Sequence, residues 1–188
     1  EFPQVRRRLE GLPMYLRARV GELRTAIVHG DAESLAGWRF AEEALDRRDA
    51  DPWLAGAFRD AGADLFASSH TCAPVFRTFG LDGRICGVIN NGAAGMPNFA
   101  GNRFGVLTRI ALDAPPQPSL YGLKIAGSRI DAMPIRYDQE RWREAFLAAW
   151  PAGSPAYESY WPRIDGGTGL YFGRAVPRYR ELAPGDAA

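Results

Sequence analysis

The sequence predicts a layered α/β or α+β fold, and three observations carry that expectation. β-like runs alternate with helix-like stretches in the first half. Further β-like runs then group together before a last amphipathic helix. Three of the strands end in polar segments rich in Gly or Ser, the kind of strand end where α/β proteins seat their ligands. The 188 residues, 46% hydrophobic and 12% aromatic, are enough for one domain with a sizeable core and exclude a disordered or collagen-like chain.

Residues 4–20 read as a helix, with Val5, Leu9, Leu12 and Leu16 near helical spacing and Pro13 as an interruption. Residues 23–28 form a short β run that ends in His29-Gly30-Asp31. Residues 35–47 read as a helix, with Trp38 and Leu45 on its apolar side. Asp51-Pro52 opens a further helix that stops near Gly62. Residues 63–67 are a buried strand that runs into Ser68-Ser69-His70-Thr71-Cys72. Strands follow over 75–79 and 85–89, the latter entering Asn90-Asn91-Gly92-Ala93-Ala94-Gly95. Residues 104–112 and 120–125 alternate like antiparallel strands, and 130–137 extends their sheet. Asp138 caps an amphipathic helix that closes at Pro151. Residues 1–150 are therefore read as the domain body and 151–188 as a loop-rich wrapping tail.

The net charge is +1, from 23 basic and 22 acidic residues, so no general attraction to nucleic acid or to an anionic membrane is expected. Lys124 is the only lysine, and the cluster Arg6-Arg7-Arg8 reads as a solvated face. Two cysteines, Cys72 and Cys86, make no disulfide framework. With no signal-like or membrane-length apolar run, the cytoplasm is the expected compartment.

The only two histidines, His29 and His70, each follow a buried strand directly, which favours a shared site flanked by Asp31 and Cys72. Three readings remain open. His29, His70 and Cys72 are candidate metal ligands, because His70-x-Cys72 in an extended segment would point two donors the same way. Cys72 is alternatively a nucleophile with a histidine as its base. The segment around Asn90, Asn91 and Gly92 offers backbone N–H groups to an anion, although it lacks the lysine and hydroxyl residues of a nucleotide P-loop. Cys86, inside a β run, reads as an inert core residue.

In order and approximate spacing, Ile27-Val28-His29-Gly30-Asp31, Ser69-His70-Thr71-Cys72 and Asn90-Asn91-Gly92-Ala93 resemble the C-terminal half of a calcineurin-like metallophosphoesterase. The resemblance covers roughly residues 20–112. It implies an α/β/β/α two-sheet sandwich, of which this chain is mostly the C-terminal half. It also implies a phosphomonoester or phosphodiester substrate and two divalent metal ions, Mn, Fe or Zn, in the intact enzyme. His29 and His70 would bind one metal, and Cys72 stands where the family places a histidine on the other. The family's first-half motifs, Asp-x-His, Gly-Asp-x-x-Asp and Gly-Asn-His, do not occur upstream of His29, and Asp31 maps onto none of them. The chain is therefore expected to be the C-terminal portion of a longer enzyme, holding metal poorly by itself.

His70 and Asp31 are the catalytic candidates. Asn90, Asn91, Gly92 and Arg39 are the substrate-binding candidates, with Trp38, Asn98 and Arg103 also near the strand ends. A non-catalytic relative that binds a ligand or partner in the same cleft, and a Cys72-dependent hydrolase, are the alternatives.

Overall fold

The structure, a computed structural model, describes residues 2–182. In chain order these form α1 (Pro3–Glu10), β1 (Tyr15–Val20), β2 (Leu23–Val28), α2 (Glu42–Leu45), a 3-10 turn (Arg48–Ala50), α3 (Asp51–Ala61), β3 (Leu65–Ser68), β4 (Val75–Leu81) and β5 (Arg84–Asn90). There follow β6 (Gly105–Ala111), β7 (Tyr121–Ile125), β8 (Ser128–Ile135), α4 (Gln139–Ala149), α5 (Pro155–Gly166), α6 (Phe172–Ala175) and β9 (Arg178–Glu181). Six strands make one mixed sheet in the order β1-β2-β3-β5-β4-β9, and three make an antiparallel sheet in the order β6-β8-β7.

The two sheets face each other across an apolar layer. Leu23, Leu65, Phe76 and Ile89 of the larger sheet meet Val106, Tyr121, Ile125, Ile130 and Ala132 of the smaller one. Strand alternation sends the remaining side chains of the larger sheet to its other face. There Ala26, Phe66, Phe79 and Val88 pack with Leu54, Ala55 and Phe58 of α3. Leu54 and Phe58 are fully buried, and each contributes roughly 1.5–3 kcal/mol of burial. α3 begins at Asp51-Pro52 and ends where Gly62 takes φ +57°, as its sequence predicts. α4 likewise matches, with Asp138 accepting the N–H of Arg141 at 3.0 Å.

Three expectations are corrected. The helix over 4–20 stops at Glu10, and β1 pairs antiparallel with β2 from Tyr15↔Val28 to Val20↔Leu23. Gly21, at φ +56°, closes that hairpin with a backbone that a helix cannot adopt. α1 buries none of its residues, and β1 is almost wholly exposed. The helix over 35–47 shrinks to α2, because Asp31 organises residues 31–40 as a loop, described below. The tail is not simply loops, since over its described residues it forms α5, α6 and β9. β9 adds a parallel edge strand to β4 from Arg77↔Arg178 to Gly80↔Glu181. Residues 183–188 of that expected tail lie outside the described residues.

Charge pairs tie these layers together. Arg77 of β4 is 1% exposed. Its guanidinium donates to Glu42 of α2 at 3.1 Å, to Asp46, and to the carbonyls of Phe76 and Val176. Removing Arg77 leaves the buried Glu42 to Arg174 alone and Asp46 to the more distant Arg178, and takes the donors from two carbonyls. Arg77→Met is therefore expected to cost about 3–5 kcal/mol in urea-induced unfolding, and a loss below about 1 kcal/mol would show that the network carries little of the fold.

At the other end of the sheet, Asp64 holds Arg24 at 2.7 Å and Arg84 at 2.6 Å. Burial pushes its carboxyl up, but the hydrogen bonds from Arg24 and Arg84 outweigh that and hold it below the usual 3.8. A depressed carboxylate stabilises the fold above its unfolded pKa and loses that contribution as pH falls through the folded value. Stability is expected to drop below about pH 4. Asp64→Asn should flatten that part of a pH series of melting temperatures, and an unchanged slope would remove Asp64 from the account.

Candidate metal centre

β2 and β3 are parallel neighbours, registered Thr25↔Leu65, Ala26↔Phe66 and Ile27↔Ala67. Their carboxyl ends deliver His29 and His70 to the same place. The His29 carbonyl accepts the N–H of Ser69 at 3.1 Å and of His70 at 2.7 Å. The buried hydroxyl of Ser68 bridges the carbonyls of Gly30 at 2.6 Å and His29 at 3.2 Å. The two imidazoles converge, with His29 Nε2 3.1 Å from His70 Nδ1 and the ring planes 71° apart. Two nitrogens about 2.0–2.1 Å from one zinc ion at a tetrahedral angle would stand roughly 3.3 Å apart. The observed separation therefore fits two ligands of one ion. Ser69 Oγ lies 3.2 Å from His29 Nδ1; as acceptor of that N–H it leaves Nε2 as a lone-pair donor facing the site.

The other predicted residues are placed differently. Asp31 is buried, and its carboxylate accepts the backbone N–H groups of Glu33 and Ser34, each at 3.0 Å, and of Arg39 at 3.2 Å. It builds the loop and does not face the histidines as an acid or base. A Cβ on Gly37 would lie within 2.1 Å of the carboxylate carbon, so that loop closes on the carboxylate only with glycine there. The Arg39 guanidinium lies over the Trp53 ring at 4.7 Å and 3.6 Å from Glu33.

Cys72 departs from the expected alternation because residues 69–72 form a turn, with its N–H on the Ser69 carbonyl at 3.0 Å and φ at +51°. No thiol–imidazole hydrogen bond forms among the described residues, and no group of three His, Cys, Asp or Glu gathers there to hold a metal ion. The donor set is thus two imidazoles, half of an ordinary metal site.

The segment after β5 is committed to itself. Asn90 is fully buried; its amide donates to Thr71 Oγ1 at 2.9 Å, and its Oδ1 takes the N–H of Gly92 at 2.8 Å. Asn91 donates to the Val106 carbonyl at 3.2 Å, and the Ala93 N–H is held by Asn98 Oδ1 at 2.7 Å. The N–H groups of Gly92 and Ala93, in the segment expected to cradle an anion, are spent on side-chain carbonyls. Arg103 pairs with Glu140 at 3.1 Å.

Of the residues the sequence places near the strand ends, Trp38 stands beside the histidines, on the 31–40 loop and not on a helix. Its ring meets His70 edge-on, with centroids 5.3 Å apart. Arg163 of α5 reaches the carbonyl of Cys72 at 2.9 Å, the carbonyl of Pro97 at 2.8 Å and Asn98 Oδ1 at 3.0 Å. It clips the histidine turn to the 93–98 loop. Burial lowers its pKa, an effect opposed by Cys72 and Tyr137 nearby.

Comparison with solved structures then finds a hypothetical protein, PH1004 from Pyrococcus horikoshii OT3. It is 16% identical, with TM-score 0.56 over 89% of this chain and 56% of that one. A metallophosphoesterase from Sphaerobacter thermophilus is 19% identical, with TM-score 0.52 over 86% of this chain and 60% of that one. The fold is that of a metallophosphoesterase. This chain spans less than two thirds of the length of either neighbour. No family model and no curated protein matches it. Among the described residues of this metallophosphoesterase-like fold, no helix is long and apolar enough to cross a membrane.

The Arg163 clip makes the Cys72 turn testable by thiol chemistry. Cys86 is fully buried, and burial pushes its thiol up to about 11, so the partly buried Cys72 is the thiol open to reagent. Arg163→Ala is expected to raise the rate of Cys72 alkylation by about tenfold and to cost about 1.5–3 kcal/mol of stability. An unchanged rate would mean that the clip does not hold the turn.

Proposed function

We propose that this chain is part of a metal-dependent hydrolase of phosphomonoesters or phosphodiesters, with His29 and His70 as ligands of a divalent ion. The single observation behind this is the 3.1 Å approach of His29 Nε2 to His70 Nδ1 at adjacent strand ends of a metallophosphoesterase fold. Two imidazoles are borderline donors and suit Mn, Fe or Zn. A divalent ion supplies polarisation of the phosphoryl oxygens and acidification of a water nucleophile. The protein's own residues orient the donors. Ser69, as acceptor of the His29 Nδ1–H, would leave Nε2 to the ion, the His29 carbonyl fixes the His70 backbone, and Arg163 ties the Cys72 turn to the 93–98 loop.

The dinuclear centre of an intact enzyme needs carboxylate or further imidazole donors beyond this pair. Polypeptide corresponding to the uncovered 40% or more of the neighbours' chains is the proposed source, with Cys72 as a candidate for the second ion. Two unpaired thiols support a cytoplasmic setting. The two-imidazole donor set also favours a second reading, a non-catalytic relative that binds a ligand or partner at the same strand ends.

The test is metal content together with hydrolysis of p-nitrophenyl and bis-p-nitrophenyl phosphate with added Mn²⁺. Metal-dependent turnover that falls at least 100-fold (about 2.7 kcal/mol) in His70→Ala is the expected result. Metal bound equally by wild type and His70→Ala would overturn the assignment of the ligands. Metal retention by wild type without turnover would favour the binding relative.

A further inference from the structure

The loop from Asp31 to Phe40 is over-determined for a connection that carries one exposed indole. At its start, the buried Asp31 carboxylate fixes the N–H groups of Glu33, Ser34 and Arg39. At its end, Phe40 is fully buried, with its ring 5.0 Å from that of Phe66 and 5.7 Å from that of Trp53. Between these anchors Gly37 backs onto the Asp31 carboxylate, and the Trp38 carbonyl accepts the Ala41 N–H at 2.9 Å. The backbone on both sides of Trp38 is therefore fixed, yet the indole is 62% exposed. Its ring does not stack on His70 but meets it at 74°, so the indole stands beside the imidazole pair as a wall. Holding a large apolar ring open to water is unfavourable, and a flat ligand that covers it recovers that cost.

Resting on the reading above, we propose that Trp38 is the stacking wall of the substrate site, and that the phosphoester bound there carries a planar ring, a nucleobase or an aryl group. The phosphoryl group would sit at His29 and His70, and the ring would lie on the indole. Stacking of a base on an aromatic side chain is worth about 1–3 kcal/mol by alanine substitution, or roughly 5- to 150-fold in affinity. The preference is sequence-tolerant, because every base has a π face.

The experiment compares adenosine 5′-monophosphate with ribose 5-phosphate, which share the phosphate and sugar and differ in the ring. Both are titrated calorimetrically into wild type, Trp38→Ala and Trp38→Phe, with and without Mn²⁺. The expected result is tighter binding of the nucleotide by wild type. The ratio of the two affinities should fall at least 5-fold in Trp38→Ala and recover in part in Trp38→Phe. A wild type that binds the two equally, or binds neither, overturns the proposal, as does a ratio that Trp38→Ala leaves unmoved. A nucleotide preference that depends on Trp38, without turnover of either p-nitrophenyl ester, would sink the hydrolase reading and leave the stacking site standing. Metal-dependent turnover with a flat affinity ratio would do the reverse.

Discussion

The carbonyl oxygen of His29 is the point on which the candidate site depends. It receives the N–H groups of Ser69 and His70, and the Ser68 hydroxyl lies within reach of it. These bonds continue the parallel pairing of β2 and β3 one step beyond the last ladder pair, Ile27↔Ala67. Adjacent parallel strands end on the same side of a sheet, so residues just past their ends are brought together by the backbone alone. Convergence of the two imidazoles therefore needs no packing of their own rings. That matters for rings standing at a solvent-facing edge, where packing is too sparse to hold them.

The loops around the pair are fixed by polar groups that face inward. Asp31 gathers the loop carrying Trp38. Asn90 and Asn98 gather the turn after β5, and Arg163 joins that turn to the Cys72 carbonyl. Each of these side chains is buried or partly buried, and each is satisfied by backbone partners, as the desolvation of a polar group requires. The result is a rigid rim around two open rings. Rigidity of this kind is what a site needs if its ligand is to meet preformed positions without first ordering the loops.

The parts of the fold legible in the sequence are those whose signals are local. Asp51-Pro52 and Gly62 bracket α3, Asp138 and Pro151 bracket α4, and apolar runs mark β2 to β5. β1 was hidden because Leu9, Leu12 and Leu16 keep a helical spacing across Pro13, whereas the pairing with β2 is decided by Gly21. The helix expected over 35–47 lost its first turns to Asp31, whose carboxylate offers the N–H groups a better acceptor than the helix does. β9 is four residues long and carries two arginines, ordinary for an edge strand and nearly invisible as a pattern. At the site, the histidines were legible because each directly follows a strand. Arg163 was not, because 91 residues separate it from Cys72.

Arginine is the chain's almost exclusive cation, and the structure uses it on the buried acids. Glu42 is held by Arg77 and Arg174, Asp51 by Arg180, Asp64 by Arg24 and Arg84, and Asp131 by Arg129, while Asp31 is held by backbone N–H groups. Planar guanidinium forks suit such pairs, since two parallel N–H groups can meet one carboxylate. The consequence reaches the metal question directly. Every buried carboxylate among the described residues is committed to architecture, and withdrawing one to ligate an ion would strand an arginine or empty a loop of its acceptor. The imidazoles carry no such commitment beyond Ser69 and each other. A centre built here would start from two imidazole nitrogens, and the charge that would balance a divalent ion has to come from groups outside this set.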